Sequence, residues 1–200
     1  MSKSNYSITC LFSFLTLFFV IADQFIKRIV TFNLELYGSI TVIDGFFSIY
    51  YTRNTGSAFS MFADKSWGIY FLTVVSLVLG VILLYLMICA TKVRMVLMST
   101  ALCFLASGAF GNLIDRFTLK YVIDYLRFDF GSYTFPIFNL ADILAVCGTA
   151  MFMAIIIFGK DYSDRFFGYV FPSRKKVDEI EVPEDLYESE QTGGEDNVRD

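Results

Sequence analysis

The chain has 200 residues, 56% of them hydrophobic and 18% aromatic, with a formal net charge of −4 and no histidine; its mean hydropathy is +0.57. A soluble domain is about 45–50% apolar, so the composition points to a membrane protein. The missing histidine removes Ser-His-Asp and Cys-His catalysis and the HExxH zinc site, and the sequence offers neither a glycine-rich phosphate loop nor a basic, aromatic-interleaved patch for nucleic acid.

Four stretches carry no Asp, Glu, Lys or Arg: residues 4–22, 66–91, 95–114 and 143–159. A hydrocarbon core takes about 20 residues of helix, and these stretches predict spans over 6–28, 67–90, 94–115 and 138–159. The first begins like a signal peptide, with Lys3 ahead of an apolar run. It has no small-x-small site before Asp23 and runs on through Phe25 and Ile26, so it is expected to be retained. Cys10 precedes most of that run, which argues against the chain being a lipoprotein itself. Near the end of this span Asp23 and Lys27 stand four apart, the spacing that pairs on one helix face. An interfacial anchor and a substrate contact both fit that pair.

Residues 30–65 follow. Tyr, Ile, Val and Phe alternate there around Gly38, Gly45 and Gly56, which predicts a small external β region. Its "TRNTGSAFSMF" places Asn54, Thr55 and Gly56 in a turn. Between the second and third spans the tight connection holds Lys92 and Arg94. The third span closes with "ASGAFGNLIDRF", where Ser107, Gly108 and Gly111 allow close helix approach, and Asn112, Asp115 and Arg116 share one face. Residues 116–137 are aromatic and sparsely charged and predict a short external amphipathic helix. Asp124 lies within it, with Arg127 as its nearest available partner, and Pro136 marks the approach to the fourth span. Asn139 and Asp142, three apart, open that span, where the helix N-terminus favours an anion.

Residues 161–200, where the acids are concentrated from Asp178 onward, are expected to form a charged, disordered cytoplasmic tail. Basic flanks at Lys92, Arg94, Lys160, Arg165, Arg174, Lys175 and Lys176 favour the cytoplasm. Both termini are therefore expected inside, with the two longer connectors outside. The four cysteines, Cys10, Cys89, Cys103 and Cys147, read as buried free thiols. The fold class expected is a mainly α membrane protein of four transmembrane helices, with a small external β region and a short external amphipathic helix.

What remains for chemistry is carboxylate, amide and guanidinium. If Asp124 and Asp142 meet in a low-dielectric site, they cannot both ionise easily and will share a proton, one acting as base and the other as acid. Such a pair activates water without histidine, metal or other cofactor. Two rival readings are a proton-coupled transporter, whose intramembrane acids carry protons, and a non-enzymatic assembly factor that holds a partner helix on the Ser107–Gly111 patch.

The blocks "DQFIK", "TRNTGSAF", "GNLIDR", "VIDY" and "FNLAD", in this order from Asp23 to Asp142, resemble lipoprotein signal peptidase, the bacterial type II signal peptidase; the likeness spans residues 8–160. It implies an intramembrane-facing aspartyl endopeptidase with Asp124 and Asp142 as catalytic pair. Asp23, Lys27, Asn54, Gly56, Gly108, Asn112, Asp115, Arg116, Asn139 and Ala141 would support or line the site, Asp115 and Arg116 as scaffold. The implied substrate is a diacylglyceryl-modified prolipoprotein, cut on the amino side of its lipidated cysteine. A monomer in the bacterial inner membrane, in contact with lipid and with its active site near the external face, is expected. Ser57, Ile143 and the long acidic tail depart from the family's pattern.

Overall fold

Runs of apolar residues long enough to cross a bilayer have to satisfy their backbone groups internally, and a helix does so. The computed structural model describes residues 3–56 and 67–172. Ser57, Lys65, Arg174, Lys175, Lys176, the acids from Asp178 onward and the 57–65 part of the expected β region lie outside the described residues. In chain order the elements are α1 (Lys3–Asn33), β1 (Ser39–Ile43), β2 (Phe47–Asn54), α2 (Gly68–Lys92), α3 (Val96–Leu119), β3 (Val122–Phe130), β4 (Tyr133–Thr134), α4 (Leu140–Phe158) and α5 (Lys160–Val170).

Helices α1 to α4 are long and apolar enough to span a membrane. The third is the central one: 56% of its most apolar stretch is buried inside the protein, against 11–17% in the others. Small residues make this possible, since Ala101, Ala106, Ser107, Gly108 and Gly111 line α3 and are all buried. At Gly108 a Cβ would stand 2.5 Å from the Ala141 carbonyl oxygen of α4, and at Gly111 one would stand 2.9 Å from both Ala141 Cβ and an Asp23 carboxylate oxygen of α1. Gly111 therefore sets how closely three helices converge. Gly111→Ala is expected to lower stability by about 1–3 kcal/mol through overpacking and to reduce activity with it, as read from the unfolding midpoint in detergent.

The strands form one antiparallel sheet in the order β1-β2-β3-β4. It sits where α1 and α3 end and α4 begins. Here residues 116–137 depart from the amphipathic helix expected of them. Helix α3 runs on to Leu119, Lys120 takes a left-handed conformation (φ 67°), and β3 follows. Its Val122, Ile123, Tyr125, Phe128 and Phe130 are strand-favouring residues. Pairing with β2 (Asn54 opposite Val122, Arg53 opposite Ile123, Thr52 opposite Asp124) satisfies the backbone in place of intrahelical bonds. Phe128 stacks on Phe47 with ring centroids 4.7 Å apart, and on Phe138 at 5.8 Å. That tertiary pairing outweighs the local apolar period.

Two other boundaries move. Residues 30–33, expected in the β region, complete α1, while Pro136 stands in the irregular stretch before α4, which begins only at Leu140. Residues 161–170 of the expected disordered tail lie in helix α5, anchored by fully buried Phe166; the Tyr162 hydroxyl accepts from the Met98 N–H of α3 at 3.5 Å. The cysteines are all free, but only Cys89 and Cys103 are buried; Cys10 and Cys147 are exposed.

Candidate active site

Asp124 is the third residue of β3 and is buried. Its Oδ1 accepts from Asn139 Nδ2 at 2.7 Å and its Oδ2 from Asn54 Nδ2 at 3.0 Å. Gly56 contributes through its N–H, which donates to Asn54 Oδ1 at 3.0 Å and so turns the Asn54 amide nitrogen toward Asp124. Arg127, three residues on, is not a partner. Residues i and i+3 of a strand face opposite sides, and Arg127 instead pairs with Asp129 at 3.0 Å.

Asp142 stands at the third position of α4. It forms a capping box with Asn139: the Asn139 side chain accepts from the Asp142 N–H at 3.1 Å, and Asp142 Oδ2 accepts from the Asn139 N–H at 3.0 Å. Because Asn139 Oδ1 is taken by the helix, its Nδ2 is left to face Asp124. One residue thus touches both carboxyl groups. Asp142 Oδ1 accepts from Asn112 Nδ2 at 2.8 Å.

Behind these amides sits a buried cation. Lys27 Nζ reaches Asp23 at 2.8 Å, Asp115 at 2.9 Å and Asn112 Oδ1 at 3.1 Å, which occupies all three of its N–H groups. Asn139 Nδ2 donates to the same Asn112 oxygen at 3.1 Å, and the two donors together leave the Asn112 nitrogen to point at Asp142. The two acids reach further. Asp23 Oδ1 accepts from the Ala141 N–H and Asp115 Oδ2 from the Ile123 N–H, each at 3.0 Å. Ala141 and Ile123 immediately precede Asp142 and Asp124, so a single ammonium group holds the backbone on which both aspartates are mounted. Neither an interfacial anchor nor a substrate contact describes Asp23 and Lys27, which are 0% and 1% exposed.

All twelve residues singled out from the sequence gather at this end of the bundle. Gly108 does so only by letting α4 approach. Arg116 lines the cavity, donates from Nη1 to Ser76 Oγ at 3.2 Å, and has a buried Nε without a partner among the described residues. Two contributors were missed. Gln24 Nε2 donates to Asp115 at 2.9 Å and to the Gly111 carbonyl at 3.0 Å, and the Tyr125 hydroxyl accepts from the Leu140 N–H at 3.3 Å. The signal for Gln24 was available: an uncharged amide beside Asp23 in a lipid-facing helix needs a buried partner.

Asp124 and Asp142 line one cavity of about 600 Å3, together with Asn54, Asn112, Arg116, Phe138 and Val146. Burial first, and the neighbouring Asp142 carboxylate second, push the Asp124 carboxyl up to about 7; the Asn54 and Asn139 amides and Lys27 pull the other way. Near neutral pH Asp124 is therefore partly protonated. Among the described residues no three His, Cys, Asp or Glu side chains are placed to hold a metal ion. The cavity thus joins an acid that is partly protonated near neutral pH and a second carboxyl held by N–H donors, an arrangement suited to general acid–base hydrolysis.

The family model for signal peptidase (SPase) II matches residues 15–158. The chain belongs to the signal peptidase II family. It is 38% identical over 147 residues to the lipoprotein signal peptidase of Clostridium tetani (73% of this chain, 92% of the relative). To that of Geobacter sulfurreducens it is 44% identical over 135 residues (66% and 82%). Two solved structures described as a bacterial membrane enzyme, at 2.3 and 1.9 Å resolution, superpose with a TM-score of 0.63 each. They share 29% and 27% identity and cover 77% and 74% of this chain, and 90% and 92% of their own. This signal peptidase II is thus a multi-pass membrane protein, and each of the residues described above falls within the stretch matching the family.

Proposed function

We propose that Asp124 and Asp142 are the catalytic pair with which this signal peptidase cuts a diacylglyceryl-modified prolipoprotein on the amino side of its lipidated cysteine. The observation that carries the reading is that both carboxyl groups open on one cavity, bridged by Asn139, with Asp124 poised near neutrality. Asp142, ionised, takes a proton from water. The hydroxide attacks the scissile carbonyl carbon while protonated Asp124 gives its proton to the carbonyl oxygen. The tetrahedral intermediate then collapses as the C–N bond breaks; Asp142 gives its proton to the leaving nitrogen, and Asp124 recovers the one it lent. One proton shared by two carboxyl groups serves the whole cycle. The substrate must unwind locally, because an intact helix keeps its amides in internal hydrogen bonds.

The pair lies at the end of the bundle opposite the short basic connection of Lys92 and Arg94 and opposite α5. The bias of basic residues toward the cytoplasm supports an active site near the external face and both termini inside. A substrate with its acyl chains in the outer leaflet would then bring its cysteine to the cavity. Proton-coupled transport is disfavoured because Asp23, Asp115, Asp124 and Asp142 cluster at one end of the helices, where a transport path would distribute them. The test is incubation of the purified protein in detergent with a synthetic diacylated prolipoprotein peptide and EDTA, followed by mass measurement. A product beginning at the lipidated cysteine is expected; cleavage abolished by EDTA and restored by a divalent metal would contradict the mechanism.

A further inference from the structure

A second cavity, of about 620 Å3, opens between the last turns of α1 and α3 and strand β2. Strand alternation separates it from the first. Tyr51, Tyr121 and Ile123 face it, while Thr52, Asn54, Val122 and Asp124 face the catalytic cavity, and Arg53 reaches both. We infer that this second cavity binds the phosphate group of a membrane phospholipid.

Two guanidinium groups, Arg28 and Arg53, line it, and among the described residues neither has a carboxylate within ion-pairing distance. Arg53 is exposed but oriented: its Cζ lies 4.6 Å from the Tyr121 ring centroid and its Nε donates to the Tyr51 hydroxyl at 3.1 Å. That leaves its terminal nitrogens for a ligand, and a planar guanidinium fork matches phosphate oxygens. The arginines are not taken up by helix ends either. In α1 the Arg28 and Ile29 carbonyls accept from Thr31 Oγ1 and Asn33 Nδ2, and in α3 the Ile114 and Phe117 carbonyls accept from Thr118 Oγ1 and Lys120 Nζ. Two acids line the cavity. Asp115 is held by Lys27 at 2.9 Å, so Glu35 alone faces the two arginines.

The source of the phosphate follows from the rim. Phe32 at the mouth is 88% exposed and Phe117 on the end of α3 is 68% exposed, so apolar surface continues from the cavity along the two spans. A lipid would lay its acyl chains there with its headgroup at the level of the helix ends, where the Arg28 and Arg53 guanidinium groups meet its phosphate. The site does not depend on the catalytic assignment of Asp124 and Asp142, and its failure would leave that assignment standing.

The full-length protein, stripped of lipid in detergent, is titrated with phosphatidylglycerol and read by native mass spectrometry. Parallel arms use diacylglycerol with the same acyl chains, and inorganic phosphate. A phosphatidylglycerol complex is expected, weakened about tenfold by Arg28→Gln and further in the Arg28→Gln, Arg53→Gln double variant, with diacylglycerol not retained. Glu35→Gln is expected to tighten binding, an effect that misfolding does not produce. Equal phosphatidylglycerol binding by wild type and double variant, or equal retention of diacylglycerol, overturns the proposal. Arginine-dependent binding of inorganic phosphate without binding of phosphatidylglycerol overturns its assignment to a lipid.

Discussion

Replacing Asp124 or Asp142 by Asn is expected to reduce turnover of a diacylated prolipoprotein peptide by about 10²- to 10⁴-fold, the range of a lost general acid or base, while the peptide still binds within a few-fold of wild type. The substitution keeps the volume and one acceptor oxygen. In Asp124→Asn the new amide oxygen still accepts from Asn139 or Asn54, and in Asp142→Asn it still caps the first turn of α4, so the fold is preserved while the exchangeable proton is lost. Single-turnover cleavage read beside peptide binding separates the two effects. The double variant should be little worse than either single one, because the two groups act as one unit. An assembly factor would tolerate all three changes, and a variant that cleaves at more than a tenth of the wild-type rate would remove that residue from the catalytic role.

Lys27→Met is expected to cost about 3–5 kcal/mol of stability, the effect of leaving buried charge without its partner, and to abolish cleavage. Removing the ammonium sets the Asp23 and Asp115 carboxylates, which share it at 2.8 and 2.9 Å, against each other with no cation between them. It also removes one of the two donors on Asn112 Oδ1, Lys27 Nζ, and leaves Asn139 Nδ2 at 3.1 Å to hold the Asn112 amide toward Asp142. Those two consequences come apart experimentally. Adding Asp23→Asn and Asp115→Asn to Lys27→Met should recover much of the unfolding midpoint, since neutral groups in place of a buried ionic cluster are often well tolerated. It should recover little activity, because Asn112 is then held by the Asn139 amide without the ammonium group. Full recovery of both would mean that Lys27 serves stability alone.

The four spans were legible because charge-free runs of this length have few other fates, and Asn139 with Asp142 was legible because a three-residue spacing at a helix start has one geometry. The sheet was legible only in part. Gly38, Gly45 and Gly56 punctuate β1 and β2, but β3 finds its partner in β2, some 70 residues earlier, and a local aromatic period cannot reveal that. Asp124 shows the consequence. Read on a helix it has Arg127 for a neighbour, whereas on a strand that neighbour turns away to Asp129 at 3.0 Å, and the carboxyl is left to Asn54 and Asn139. The roles of Asp23 and Asp115 were hidden for a related reason, since each grips a backbone N–H from a distant element, Ala141 or Ile123, that no spacing rule connects to it. Gln24 signals a buried partner, but not which one: Asp115 and the Gly111 carbonyl lie on α3.

Burial and the Asp142 charge hold the Asp124 carboxyl at about 7 in the folded protein, against 3.8 ordinarily. The folded state therefore binds this proton more tightly than the unfolded chain, and Asp124 weakens stability as pH rises from about 4 toward 7. Catalysis follows the same proton. The most direct measurement is kcat/KM against pH for the wild-type protein with a lipopeptide whose own ionisable groups are blocked. Activity is expected to fall tenfold per unit above an apparent pKa of about 7, as Asp124 loses the proton it must donate. A rate that stays level up to pH 9, with Asp124 required for cleavage, would contradict a proton shared between the two aspartates.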